Sequence, residues 1–93
     1  MSKNGFMYVI LVYDCGEKRV GKMLKLCRRY LTWIQNSVFE GEITPFKLLK
    51  LKSEMKEIMD ESYDSVIIFS THQEKRLYKE VVGVERNEIS DFL

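Results

Sequence analysis

The sequence predicts an α+β domain in which one antiparallel sheet carries two helices on a single face. Two observations lead there. Apolar runs of strand length are separated by stretches whose apolar residues recur at helical spacing, and 93 residues suffice for one core but not for a second domain. With 45% hydrophobic and 31% charged residues, the balance is that of an ordinary globular chain, which excludes disordered, collagen-like and membrane-spanning classes. A single domain over residues 1–93 is expected.

Phe6–Tyr13 is mostly β-branched and aromatic, stops at Asp14-Cys15-Gly16, and reads as a strand buried on both faces followed by a turn. From Val20, the residues Val20, Met23, Leu24, Cys27, Tyr30, Leu31 and Ile34 form the stripe of an amphipathic helix, with Lys22, Lys25 and Arg29 opposite. Gln35–Ile43 alternates like a half-exposed second strand. Thr44 and Pro45 supply an N-cap and a first helical position where a missing N–H costs nothing. Leu48, Leu51, Met55, Ile58 and Met59 are the buried stripe of this second helix. The polar stretch Asp60–Asp64 ends it before the third strand, Ser65–Ser70. Thr71–Arg76 is a polar connection, Leu77–Val82 a fourth strand closed by Gly83, and residues 84–93 a charged tail ending in Phe92-Leu93. These elements suggest the β-α-β-β-α-β, ferredoxin-like arrangement, whose second sheet face needs cover. A homodimer joined through the sheets is the expected solution, with the tail packing on the partner as an extension strand.

The net charge of +1 conceals an asymmetry: residues 1–30 hold seven Lys or Arg against two acids, and residues 31–93 eight against twelve. A chain polarised this way presents a cationic surface to an anionic partner such as nucleic acid. The apolar run Phe6–Tyr13 is too short to span a bilayer, and no small-residue cleavage site follows it, so a cytoplasmic protein with no membrane partner is expected. Cys15 and Cys27 form no CxxC pair, and with His72 as the one histidine they cannot complete a four-ligand zinc site.

Gly16–Lys22 matches G-x-x-x-x-G-K between a strand and a helix, but Met23 stands where a phosphate-binding loop needs the hydroxyl that holds Mg²⁺. The match reads as a basic helix start after a glycine turn. Asp14 ends the first strand, where rigid backbone holds its carboxylate; a turn or capping Asp would sit in the same place. One carboxylate is a poor Mg²⁺ site, but a two-fold axis apposing the strand ends would supply Asp14 and its symmetry mate. A metal held there would generate hydroxide and polarise a phosphodiester. Lys18, Arg19, Lys22, Lys25, Arg28 and Arg29 place six cations in twelve residues with no acid among them, either a solvated face or a track for phosphates. Tyr13, Trp33 and Phe39 are the nearby aromatics, suited to packing or to base stacking. Glu40 and Glu42 share a strand face and read as solvent-facing charges, and His72 as a surface residue.

Three segments together resemble the Cas-two family of small CRISPR-associated proteins of spacer acquisition: the apolar strand Tyr8–Asp14, then Arg19-x-x-Lys22, then Ile34–Glu42 (IQNSVFEGE). The resemblance implies a ferredoxin-like homodimer that bridges the larger CRISPR integrase subunit and lies along double-stranded DNA. It also implies Mg²⁺-dependent endonuclease activity on single-stranded RNA or double-stranded DNA. Carried over by position, Tyr13 would neighbour the scissile phosphate, Asp14 of both subunits would share the metal ion, and Arg19 would contact the nucleic-acid backbone. Ser37 and Phe39 would line the dimer cleft, and Trp33 stands where many relatives carry Arg. Lys22, Lys25, Arg28 and Arg29 extend the nucleic-acid-binding face. A small-ligand-binding regulatory dimer of the same fold is the alternative; its binding would respond far less to salt than a phosphate-bound complex.

Overall fold

A computed structural model of the chain describes residues 5–71 and 77–84. The elements run β1 (Met7–Asp14), α1 (Glu17–Arg28), β2 (Thr32–Gln35), β3 (Val38–Ile43), α2 (Pro45–Ile58), β4 (Ser65–Thr71) and β5 (Leu77–Gly83). They form one five-stranded sheet in the order β2-β3-β1-β4-β5. Every neighbouring pair is antiparallel. The first four strands with the two helices are the ferredoxin-like β-α-β-β-α-β unit. The run expected as a fourth strand is therefore a fifth, added beside β4 from Ser65 opposite Gly83 to Thr71 opposite Leu77.

The extra strand comes from the segment between the helices. The helical stripe was expected to reach Ile34, but α1 starts at Glu17 and ends at Arg28, where the amides of Arg29, Tyr30 and Leu31 close back on Leu26 and Cys27 carbonyls. The expected single strand Gln35–Ile43 is instead a hairpin, with Asn36 and Ser37 between β2 and β3 and Asn36 at φ 45°. Asn tolerates this left-handed conformation better than most residues, which is why the chain reverses there. Thr32, Trp33 and Ile34 are good strand formers, and Ile34 is 48% exposed rather than buried on a helix face.

In β1 the side chains alternate. Met7, Val9, Leu11 and Tyr13 pack with Met23, Leu26 and Cys27 of α1 and Leu48, Leu51 and Met55 of α2 into one core. Tyr8, Ile10, Val12 and Asp14 occupy the other face. Within one chain the strand is thus buried on one face, not both. The helix-free face carries a partly covered apolar strip: Ile10, Val12, Val38, Phe69 and Val81 are of intermediate exposure. Ile67 is buried there, outside the helix-side core cluster.

Helix α2 begins as expected, with the Thr44 hydroxyl accepting a hydrogen bond from the Lys47 amide at 3.2 Å and Pro45 in its first turn. His72 and the tail beyond Val84, including Phe92-Leu93, lie outside the described residues.

Candidate functional site

The antiparallel register brings the C-terminal end of β1, the β2–β3 turn, the N-terminal end of β4 and the C-terminal end of β5 to one end of the sheet. Asp14, the exposed last residue of β1, lies there opposite Ser65. Two residues, Cys15 and Gly16, connect it to α1. So short a turn leaves Asp14 little freedom, and one buried carboxylate holds that turn.

Asp64 is 0% exposed. Its Oδ1 accepts from the Gly16 amide at 2.8 Å and from Arg19 Nη2 at 2.9 Å. Its Oδ2 accepts from Arg19 Nε at 2.6 Å and from the Asp60 amide at 2.8 Å. The planar guanidinium matches the carboxylate as a fork, which is the geometry Arg favours. Arg19 hydrogen bonding, then the Asp60 and Gly16 amides, hold the Asp64 carboxyl at about 2 despite burial, which opposes ionisation. The Asp64 carbonyl also accepts from the Val84 amide at 2.9 Å. It lies 2.1 Å from where a Cβ would stand on Gly83, whose φ is +97°, so glycine is required at that close approach.

Arg19 is thus turned onto Asp64, with 28% of its side chain exposed. Tyr13 neighbours Asp14 in sequence but faces the helices. It is 3% exposed, its ring lies 6.0 Å from that of Phe39, and its amide donates to the Ser37 carbonyl at 3.2 Å. Burial, then the Cys27 and Cys15 thiols, raise the Tyr13 phenol, against a smaller opposing hydrogen bond with the Ser37 side chain. Phe39 is fully buried on the same helix side, and Ser37 is half-buried in the turn. Tyr13, Ser37 and Phe39 therefore come together, while Asp14 projects from the opposite side of its strand.

The cations of α1 divide by what they touch. Arg29 meets Glu54 at 3.1 Å, and the Tyr30 hydroxyl donates to the other Glu54 oxygen at 2.7 Å. The Arg28 guanidinium sits 5.5 Å from the centroid of the Trp33 ring, whose indole N–H donates to the Asn36 carbonyl at 2.9 Å. Lys18, Lys22 and Lys25 are exposed. Among the described residues no carboxylate forms an ion pair with these three lysines. Their spacing, continued by Arg29, keeps four cations on one helix face over about 16 Å. Lys22, Lys25 and Arg29 also line a groove between α1 and α2 with Glu54 and Glu57.

Sequence reasoning missed Asp64, which it took as part of a polar stretch ending the second helix. An Asp just before an apolar strand was the visible signal, but its partner Arg19 lies 45 residues away and becomes apparent only once β4 is placed beside β1. Among the described residues no group of three or more His, Cys, Asp or Glu side chains could hold a metal ion. Nor is any helix among them long and apolar enough to cross a membrane.

The family model described as CRISPR associated protein Cas2 matches residues 7–77. A protein of Thermotoga maritima named CRISPR-associated endoribonuclease Cas2 is 51% identical over 82 residues, 88% of this chain and 94% of the relative. One of the same name from Methanosarcina acetivorans is 44% identical over 87 residues, covering 94% of this chain and all of the relative. A solved structure, "Crystal structure of cas2", superposes with a TM-score of 0.68 at 41% identity over 87% of this chain and 88% of that one. The strand ending in Asp14, the basic first helix, the β2–β3 hairpin and these likenesses agree, and the chain belongs to the CRISPR-associated Cas2 family.

Proposed function

We propose that this chain acts in CRISPR spacer acquisition as a cytoplasmic homodimer that holds nucleic acid and hydrolyses phosphodiester bonds in an Mg²⁺-dependent reaction at its paired Asp14 residues. The observation that carries the reading is the setting of Asp14: an exposed carboxylate at the end of β1, on the sheet face that neither described helix covers. Ile10, Val12, Val38, Ile67, Phe69 and Val81 line that face, and a second copy is the natural cover for it. Sheet-to-sheet pairing would add a second Asp14 to the first. The relatives' endoribonuclease name supports RNA as a substrate.

Among the described residues no group of three or more ligating side chains gathers within one chain, so Asp14 fits Mg²⁺ only as a pair completed by waters and the substrate's phosphate, the ligation this hard ion prefers. Bound there, the ion would supply an activated water and charge stabilisation. The chain's own residues do the rest. The α1 lysines attract the phosphate backbone, and Tyr13, packed on Phe39 and tied to Ser37, stiffens the strand end that carries Asp14. The same basic face suits duplex DNA and, with the larger integrase subunit as partner, a scaffold for spacer capture; this role needs no hydrolysis. The family assignment does not favour the small-ligand regulatory dimer.

The test is cleavage of labelled single-stranded RNA and duplex DNA by wild type and Asp14→Asn, with Mg²⁺ or EDTA, alongside binding. Cleavage by the wild type alone, with metal alone, is the expected result. Salt-sensitive binding without cleavage would leave a scaffold and overturn the hydrolytic part, and cleavage surviving in pure Asp14→Asn would remove the Asp14 mechanism.

A further inference from the structure

We infer that Asp64 is a positioning residue for Asp14: through the Gly16 amide and the Arg19 fork it fixes the two-residue turn that aims the Asp14 carboxylate. The inference rests on the reading of Asp14 as a metal ligand. It also moves Arg19 from the nucleic-acid contacts to the positioning shell.

Asp64 is the fully buried charged side chain among the described residues, and its polar capacity is spent on this end of the sheet. Four contacts reach its carboxylate oxygens, from Gly16, Arg19 and Asp60. Gly16 lies two residues after Asp14, and Arg19 is in the first turn of the helix that follows. A Cβ on Gly16 would stand 2.4 Å from Arg19 Nη2, so the absence of a side chain there lets the guanidinium close over the turn. On the other side, the Asp64 carbonyl takes the Val84 amide as the chain leaves β5. One residue just before β4 thus ties together the exits of β1 and β5 and the start of α1. A buried carboxylate is costly unless paired, and a helix-to-strand connection does not need one. Supporting groups behind metal ligands characteristically orient them, and their loss costs about 10- to 100-fold in metal affinity or activity.

The experiment compares wild type, Asp64→Asn, Arg19→Lys and Leu51→Ala, the last a control that weakens the core but takes no part in the turn's hydrogen bonds. Amide hydrogen exchange at Gly16 is read by NMR, and RNA cleavage is followed as a function of Mg²⁺. Asp64→Asn is expected to speed Gly16 exchange at least about 10-fold, since it frees a locally held amide. It is also expected to lower cleavage by about 10- to 100-fold and raise the Mg²⁺ requirement, with the KM for RNA unchanged. Leu51→Ala should do neither at a temperature where it is folded. Arg19→Lys, which keeps the charge but loses the fork, should fall between, and decides the matter if Asp64→Asn does not fold.

A folded Asp64→Asn with wild-type cleavage and Mg²⁺ requirement would overturn the inference, as would an equal loss in Leu51→Ala. If wild type does not cleave, the hydrolytic reading fails by itself, and Mn²⁺ then decides. Paramagnetic broadening at Cys15 and Gly16 that weakens in Asp64→Asn supports positioning. Broadening that is unchanged in that variant, or absent from the wild type, overturns it.

Discussion

At the scale of single residues, the chemistry at the end of β1 depends on charge burial. Asp64 has a folded pKa of about 2, below the usual carboxylate value near 4. A depressed value means that its stabilising contribution is complete above the unfolded pKa and is lost as pH falls through the folded one. The stability gap between wild type and Asp64→Asn should therefore be constant above about pH 5 and close towards about pH 2; urea unfolding at several pH values checks this. The two thiols differ in the same physical terms. Burial, followed by the charge of Cys15, pushes Cys27 up to about 12, whereas Cys15 is only half-buried, its thiol raised first by burial and then by Asp64. Iodoacetamide at pH 8 should label Cys15 slowly in the native protein and Cys27 only after unfolding, as peptide mapping would show, because the thiolate is the nucleophile. Labelling of native Cys27 at the rate of Cys15 would contradict the packing.

At the scale of elements, the lysines of α1 form no ion pair among the described residues, unlike its arginines. Lys18, Lys22 and Lys25 are exposed, whereas Arg19, Arg28 and Arg29 meet Asp64, Trp33 and Glu54. Replacing the three lysines by Ala should leave the unfolding temperature nearly unchanged. It should reduce the slope of log binding constant against log salt for single-stranded RNA by about 2, the release expected from three phosphate contacts. An unchanged slope would place the nucleic acid elsewhere. Helix α2 depends on its start: Thr44→Ala removes the acceptor for the Lys47 amide and should cost about 1 kcal/mol in chemical denaturation.

At the scale of the whole molecule, the sheet face that no described helix covers is where the proposed dimer is tested. Phe69 stands on it opposite Ile10 and Lys79, of intermediate exposure in one chain. Phe69→Asp would bury a charge between two sheets. It should convert the proposed dimer to monomer in sedimentation equilibrium, with little change in the helix-side core, and abolish any activity that needs two Asp14 residues. A variant that stays dimeric would direct the search for the interface to another surface.

The sequence by itself determined the fold class, the N-terminus of α2, the strand ending at Asp14 and the basic first helix, because each is written in local periodicity, capping and charge. The three segments that resembled the family lay in that same legible part, residues 8–42. The boundary between α1 and β2 was not legible: Ile34 fits a helical spacing as well as a strand, and only the pairing of β2 with β3 decides between them. The facing of Tyr13 and Phe39 towards the helices, and of Asp14 away from them, also required the register, since strand neighbours point to opposite sides. Tertiary structure alone decided the partner of Arg19. Its charge looked available in the sequence, but the carboxylate that claims it arrives from a distant connection once β4 pairs with β1, and the interaction of a fully buried charge depends on that meeting.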